Sequence, residues 1–196
     1  EIGVRLVGSE MCIRDRDTCT PQGVLCVLKQ FHYNIEEMLR DKAPLFLLLE
    51  NIQDPGNLGT MLRTGEGAGV SGIIMSRDTV DLYNPKVIRS TMGSIYRVPF
   101  YYADDFAAAV HQVQRAGVSV YAAHLRGKNS YACQDYTKGT AFLIGNEGNG
   151  LREETAELAD CYIRIPMEGK VESLNAAVAS SILMYEAHRQ RATIEK

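Results

Sequence analysis

Between residues 142 and 175 the chain twice runs an apolar stretch into a Gly- and Asn-rich loop that opens into a helix. The first stretch, 142–144 (FLI), ends in the turn GNEGNG at 145–150, and a short polar helix is expected over 151–158. The second, 161–166 (CYIRIP), ends in the polar loop 167–172. That loop hands Ser173, Leu174 and Asn175 to the start of a long helix expected over 174–191. Units of this kind belong to open α/β sheets, whose ligands sit in the crevice beyond the carboxyl ends of the strands. The two loops therefore mark the expected binding site.

The alternation continues upstream. Runs at 24–28, 45–49, 72–75, 97–102 and 118–125 read as strands, and the wholly apolar run 45–49 suggests burial on both faces, as in a parallel sheet. Helices are expected over 35–40, within 51–69, over 85–92, and from a cap at Asp104 to residue 116, with 126–139 a polar connection. The pattern predicts one α/β domain, with a mainly parallel sheet and helices on both faces. Residues 1–16 (EIGVRLVGSEMCIRDR) carry neither period and join badly to the residues after them. They are expected to be a non-native segment standing where an amino-terminal region has been lost, which leaves 17–196 as the domain.

Composition narrows the partners. With 196 residues, 45% hydrophobic and 23% charged, the chain is built like an ordinary globular protein. A net charge of −3 and a pI near 5.8 argue against non-specific coating of nucleic acid but allow a local basic patch. Arg89, Arg97, Arg126, Lys128 and Lys138 are the candidates for one. The five cysteines form no CxxC pair, so a reduced, cytoplasmic protein without zinc or disulfides is expected. No apolar run approaches the ~18–20 residues of a membrane span.

Three stretches could carry chemistry. In 51–63 (NIQDPGNLGTMLR), Pro55-Gly56 makes a turn and Asn57 stands where a helix N-cap is needed. Leu58, Met61, Leu62 and Gly65 fall on an inward face, with Thr60 and Arg63 on the other side. Gly59, Gly65 and Gly67 cost about 1 kcal/mol each against Ala, which suggests that something approaches this helix closely. A capped helix with a surface arginine accounts for the stretch as well. In 145–150 the order GxxGxG excludes the dinucleotide fingerprint, and the missing Gly-Lys-Ser/Thr excludes a phosphate loop. Glu147 is the lone acid there, and a tight left-handed turn explains the glycines equally.

In 165–175, Ser173 and Asn175 straddle a helix start, where simple capping is the plain alternative. The stripe Leu174, Ala177, Val178, Ser181, Ile182 and Tyr185 beside the small residues Ala176, Ala179 and Ser180 suits a helix packed on its sheet and on a partner chain. Core packing explains the stripe too. His32, His111 and His188 are scattered without metal-ligand spacing, whereas His124 ends a strand near the expected site.

In this order, N-x-x-D-P-x-N-x-G-x-x-x-R, F-L-I-G-N-E-G-x-G and I-P-M-x-G-x-V-x-S-L-N resemble the three motifs of the SpoU/TrmH family, RNA ribose 2′-O-methyltransferases of the SPOUT class. The resemblance runs roughly from residue 18 to 186, and 17–27 resembles the entry to the family's catalytic domain. The family usually has a small RNA-binding domain ahead of that point, where 1–16 departs from the pattern. The resemblance implies a carboxyl-terminal deep trefoil knot, a topology rare enough that periodicity alone does not lead to it. It implies S-adenosylmethionine as methyl donor, lined by Ala123, His124, Leu125, Gly145, Ile165, Met167 and Leu174. It also implies a homodimer acting on ribosomal or transfer RNA.

A sulfonium methyl is electrophilic without a metal, so the enzyme has to place the ribose 2′-oxygen in line and remove its proton. By resemblance Arg63 activates that hydroxyl, either as a base tuned by its site or as a cation orienting ribose and phosphate. A free guanidinium, with a pKa above ~12, is rarely deprotonated. Asn57 would fix Arg63 or the ribose, Glu147 would hold the arginine or the substrate, and Ser173 and Asn175 would complete the pocket. Two further readings are a non-catalytic RNA-binding or assembly factor on the same fold, and an unrelated nucleotide-binding α/β enzyme. The missing phosphate fingerprints count against the latter.

Overall fold

The computed structural model describes residues 5–6 and 26–194, in two units divided after His32. In the first unit Arg5–Leu6 pairs antiparallel with Cys26–Val27. The rest of the segment 1–16 and the first half of the strand expected over 24–28 lie outside the described residues.

The second unit runs α1 (Ile35–Met38), β1 (Leu45–Leu49), α2 (Pro55–Ala68), β2 (Gly72–Ser76), α3 (Pro85–Ser90), β3 (Phe100–Ala103) and α4 (Phe106–Arg115). It continues with β4 (Ser119–Ala123), β5 (Asn129–Ser130), β6 (Thr140–Ile144), α5 (Glu153–Ala156), β7 (Cys161–Arg164) and α6 (Ala176–Ile194). The sheet order is β3-β2-β1-β6-β4-β7-β5, and each neighbouring pair is parallel. Every residue of β1, β2 and β6 is buried, the signature of strands covered on both faces. On one face Phe46, Leu48, Ile74, Val120 and Leu143 pack with Ile35 and Met38 of α1 and Val110 and Val113 of α4. The other face carries α2 and α6, which pack on each other.

Several boundaries differ from the sequence expectation for local reasons. Asp105, not Asp104, caps α4, accepting from the Ala108 N–H at 2.9 Å, while Asp104 pairs with Arg77 at 2.7 Å. The strand expected over 97–102 is Phe100–Ala103, because 94–96 winds into a 3-10 turn that Val98 N–H closes onto Ser94 O. The strand over 118–125 stops at Ala123, the one over 161–166 stops at Arg164, and the helix over 151–158 shrinks to Glu153–Ala156. Within the polar connection, Asn129–Ser130 adds a short edge strand on β7.

The final helix turns a different face to the core than its apolar stripe suggested. Ala176, Ala177, Ser180, Leu183, Met184 and Ala187 are buried, whereas Val178 and Tyr185 are about half exposed. Small side chains explain the choice, since they let α6 lie close on α2. Ser181 Oγ reaches Thr64 Oγ1 at 3.3 Å. A methyl group built on Gly67 would come 3.0 Å from the Tyr185 hydroxyl.

Candidate active site

A cleft of about 260 Å³ opens beyond the carboxyl ends of β4, β6 and β7. Its walls are Ala123–Leu125 after β4, Ile144–Leu151 after β6, Ile163–Ile165 with Met167 after β7, and Ser173, Leu174, Ala176 and Ala179 leading into α6. All seven residues expected to hold the methyl donor lie along it: Ala123, His124, Leu125, Gly145, Ile165, Met167 and Leu174. Ligand clefts are mostly apolar with a few fixed polar groups, and this one has that character.

The loop after β6 is shaped by its own backbone. Asn146 and Gly150 exchange both backbone hydrogen bonds, at 3.0 and 2.9 Å. A Cβ on Gly145 would sit 2.2 Å from the Gly150 carbonyl carbon and the Leu151 nitrogen, so only glycine lets the loop double back. Asn146 Oδ1 accepts from Gly148 and Asn149 N–H, and its amide donates to Asn51 O at 2.8 Å. The glycines of α2 likewise have neighbours of their own. A Cβ on Gly59 would strike Ser90 of α3.

Glu147 is the hub of the constellation. Its Oε1 accepts from Asp54 N–H at 3.0 Å and Asn57 Nδ2 at 3.0 Å, and its Oε2 accepts from Gln53 N–H at 3.1 Å. Partial burial pushes this carboxyl up, but the donors from Asn57, Asp54 and Gln53 outweigh it and hold the group below the usual glutamate range. Asn57 is therefore not the N-cap of α2. Asp54 caps it, accepting from Asn57 N–H at 2.7 Å with Pro55 in the first turn. That leaves the Asn57 side chain free to bridge. Its Oδ1 accepts from Asn175 Nδ2 at 2.9 Å, while Asn175 Oδ1 caps α6 through Ala177 and Val178 N–H. Asn175 thus both caps α6 and bridges to Asn57.

The structure thus joins Asn57, Glu147 and Asn175 directly, and puts Glu147 and Ser173 on the cleft wall. Arg63 stands apart. It lies roughly one and a half turns along α2 from Asn57, is exposed, and among the described residues has no ion pair or hydrogen-bond partner. His124 stacks on Tyr162 with ring centroids 5.2 Å apart, and its Nδ1 accepts from Arg126 N–H at 3.1 Å. Burial, then the Arg126 charge, hold its pKa below the ordinary histidine value. Of the five cations read as a possible phosphate-contacting patch, Arg97 is paired with Glu66 and Arg126 with Glu153, which leaves Arg89, Lys128 and Lys138 as its candidates.

Sequence reasoning missed Glu50, a fully buried carboxylate that binds Arg152 N–H at 2.9 Å and the Thr155 hydroxyl. An acid closing a wholly apolar strand was the available signal. Among the described residues no three His, Cys, Asp or Glu side chains converge as a metal site would require, and no helix is long and apolar enough to cross a membrane.

A sequence profile described as the SpoU rRNA Methylase family matches residues 44–185. Over 169 residues the chain is 36% identical to the 23S rRNA (guanosine(2553)-2′-O)-methyltransferase RlmP of Bacillus subtilis, covering 86% of this chain and 66% of that protein. The fold superimposes with a TM-score of 0.82 on the SpoU methyltransferase AviRb from Streptomyces viridochromogenes in complex with the cofactor AdoMet. Identity is 30%, covering 89% of this chain and 68% of that one. An AdoMet-bound rRNA methyltransferase from Sinorhizobium meliloti gives a TM-score of 0.80 at 36% identity, covering 92% and 68%. The chain spans about two thirds of the length of these proteins.

Proposed function

The chain belongs to the SpoU rRNA methylase family and is thereby an RNA methyltransferase; from that premise we propose that it methylates the ribose 2′-hydroxyl of a nucleotide in ribosomal or transfer RNA, using S-adenosylmethionine. The observation that carries this reading is the hydrogen-bonded chain Glu147–Asn57–Asn175, which ties all three motifs together at the rim of one cleft.

The cleft fits the donor by its chemistry. At about 260 Å³ it is a little below the ~300–1,000 Å³ typical of ligand pockets, with apolar walls from Leu125, Ile165, Met167 and Leu174 and backbone groups at three strand ends. Ala123, His124 and Gly145 would complete the binding surface. S-adenosylmethionine, when bound, supplies a methyl group already made electrophilic by the cationic sulfur. Arg63, exposed and unpaired among the described residues, orients the ribose and its phosphate as a cation. Asn57 is fixed between Glu147 and Asn175, so it holds the first motif rigidly against the donor loop, and Ser173 supplies a hydroxyl at the cleft wall.

On this reading the segment from β6 through α6 threads a deep trefoil knot. In its support, Arg191 ties the last helix to the carbonyls of Ala43 and Pro44 ahead of β1, and of Tyr136 and Lys138 ahead of β6. The half-exposed Val178 and Tyr185 on α6 serve a homodimer, through which Arg63 of one subunit can reach the donor of the other. The catalytic domain lies within residues 17–196 and works in the cytoplasm.

The test is calorimetry with S-adenosylmethionine, followed by mapping of 2′-O-methyl positions in RNA from a deletion strain and its parent. Saturable donor binding and one ribose position lost from the deletion strain are expected. A protein that binds RNA but no donor is an assembly factor instead.

A further inference from the structure

We propose that Glu50, which none of the three motifs assigns to the site, is a positioning residue for methyl-donor binding: it holds the neck of the loop that walls the cleft. The proposal rests on the methyltransferase function proposed for that cleft and concerns how the site is kept in shape.

Glu50 follows β1 directly, next to the end of β6. The register pairs Leu49 with Ile144, and Glu50 N–H extends the ladder by donating to Ile144 O at 2.9 Å. Its backbone therefore holds the point where the chain enters the loop. Its side chain holds the point where the chain leaves. Oε2 accepts from Arg152 N–H at 2.9 Å and Oε1 accepts from the Thr155 hydroxyl. A single residue thus spans both ends of residues 145–151, every one of which lines the cleft.

The chemistry of this position is costly unless it serves a purpose. Glu50 is 2% exposed, and a buried carboxylate is tolerated only with charge and hydrogen-bond compensation. Among the described residues the compensation comes from the loop side: two hydrogen bonds and the Arg152 guanidinium 3.6 Å away, which also pairs with Asp78 in the turn after β2. A well-packed apolar residue would close the end of β1 with less cost to folding, but it would not grip the loop's exit.

At that end the loop is also held by the Arg152–Asp78 pair and by Leu151 packed on the core, but neither binds both the entry and the exit of the loop as Glu50 does. The loop's middle is tied by Glu147 to residues 53–57, and Asn146 and Gly150 bond each other. Without Glu50, Arg152 and Thr155 could move away from β1, carrying Gly150 and Leu151 off the tight approach that Gly145 permits. The backbone offered to the donor would move with them.

The experiment measures donor affinity, turnover and thermal unfolding for the wild type, Glu50→Gln, Thr155→Ala and Arg63→Ala. Glu50→Gln keeps the shape and one acceptor but loses the charge facing Arg152. Its dissociation constant for S-adenosylmethionine is expected to rise about tenfold, the scale of one compromised buried hydrogen-bond site. KM for the donor should rise with it, and single-turnover kcat at saturating donor should stay near wild type. Thr155→Ala is expected to shift the same quantities in the same direction by less. Arg63→Ala should show the opposite split, with donor affinity kept and turnover lost.

A Glu50→Gln protein that unfolds at lower temperature yet binds the donor as tightly as wild type overturns the proposal, because Glu50 then serves folding only. A fall in kcat with unchanged KM overturns it as well. If wild type itself binds no donor, the proposed function fails at its first step, a result distinct from either of these. Should Glu50→Gln not fold, Thr155→Ala carries the decision alone, since it removes one arm of the grip and leaves the carboxylate with Arg152.

Discussion

The side-chain amide of Asn175 donates to Oδ1 of Asn57 at 2.9 Å, across 118 positions of sequence. The other end of the same amide caps α6. One side chain therefore fixes the start of the last helix and docks it on the first motif, and Glu147 closes the connection from the far side of Asn57.

The two functions of Asn175 can be separated. Asn175→Asp keeps an N-cap acceptor but removes the donor, so α6 should stay folded while the bridge to Asn57 is lost. Methyl transfer is expected to fall about tenfold or more, with thermal stability within ~1 kcal/mol of wild type. Asn175→Ala should lose both. A double-mutant cycle between Asn57→Ala and Asn175→Ala should give a coupling of about 0.5–3 kcal/mol in the transfer rate. Strict additivity would mean that the bridge carries nothing.

Arg63 is expected to act on turnover and not on donor binding, because it lies outside the cleft wall and is unpaired. Arg63→Ala should slow single-turnover methylation about 10²–10³-fold, the usual effect of losing one transition-state-facing donor. Calorimetry with the donor should be unchanged. Arg63→Lys should restore little, since an ammonium cannot copy the planar fork. Near-normal transfer by Arg63→Ala would remove it from the reaction in either of its possible roles.

The sequence made the strands legible wherever both faces were buried. Leu45–Leu49 stands as read, and 72–75 is short by one residue, because unbroken apolar runs have no other place in a parallel sheet. The order β3-β2-β1-β6-β4-β7-β5 was not legible, since pairing between β1 and β6 joins residues almost a hundred positions apart. At the site, the motifs pointed to Asn57, Glu147 and Asn175, but their mutual bonds depend on which residue caps α2. Asp54 and Asn57 are both good caps. Pro55, fixed in φ, settles the helix start at Asp54 and frees Asn57. Glu50 escaped notice because an acid after a buried strand reads as a surface turn until its partners, 102 and 105 positions away, are in view.

Acid should loosen the donor site through His124. Its pKa in the folded protein lies below the ordinary value because burial, and then Arg126, disfavour the cation. Stability from the neutral ring is therefore fully present above the unfolded value of about 6.5 and is lost as pH falls through the lower, folded value. A protonated ring on the cleft wall would also repel a sulfonium. Donor affinity is expected to be flat from pH 8 to about 6.5 and to weaken below it. His124→Asn, which keeps an acceptor for Arg126 N–H, should flatten the profile. A profile identical in wild type and variant would assign the titration elsewhere.

Arg191 should matter most to stability and least to chemistry. Its guanidinium is half buried, and burial lowers its pKa. It has no carboxylate partner among the described residues, only carbonyls: Tyr136 O at 2.9 Å, Ala43 O at 2.8 Å, Lys138 O at 2.7 Å and, at the limit, Pro44 O at 3.4 Å. These carbonyls precede β1 and β6, the two central strands, so one cation near the end of α6 pins the helix to both. Arg191→Ala leaves them without this donor and is expected to cost roughly 2–4 kcal/mol, lowering Tm by about 4–16 °C for a chain of this size. Arg191→Lys should recover only part, because an ammonium cannot fan out to four acceptors. Below the unfolding temperature, donor affinity in Arg191→Ala should equal that of wild type, since Arg191 lies outside the cleft. A variant that melts normally would show that carbonyl binding merely offsets the desolvation of the cation, and that the small-residue packing of α6 on α2 holds the helix alone.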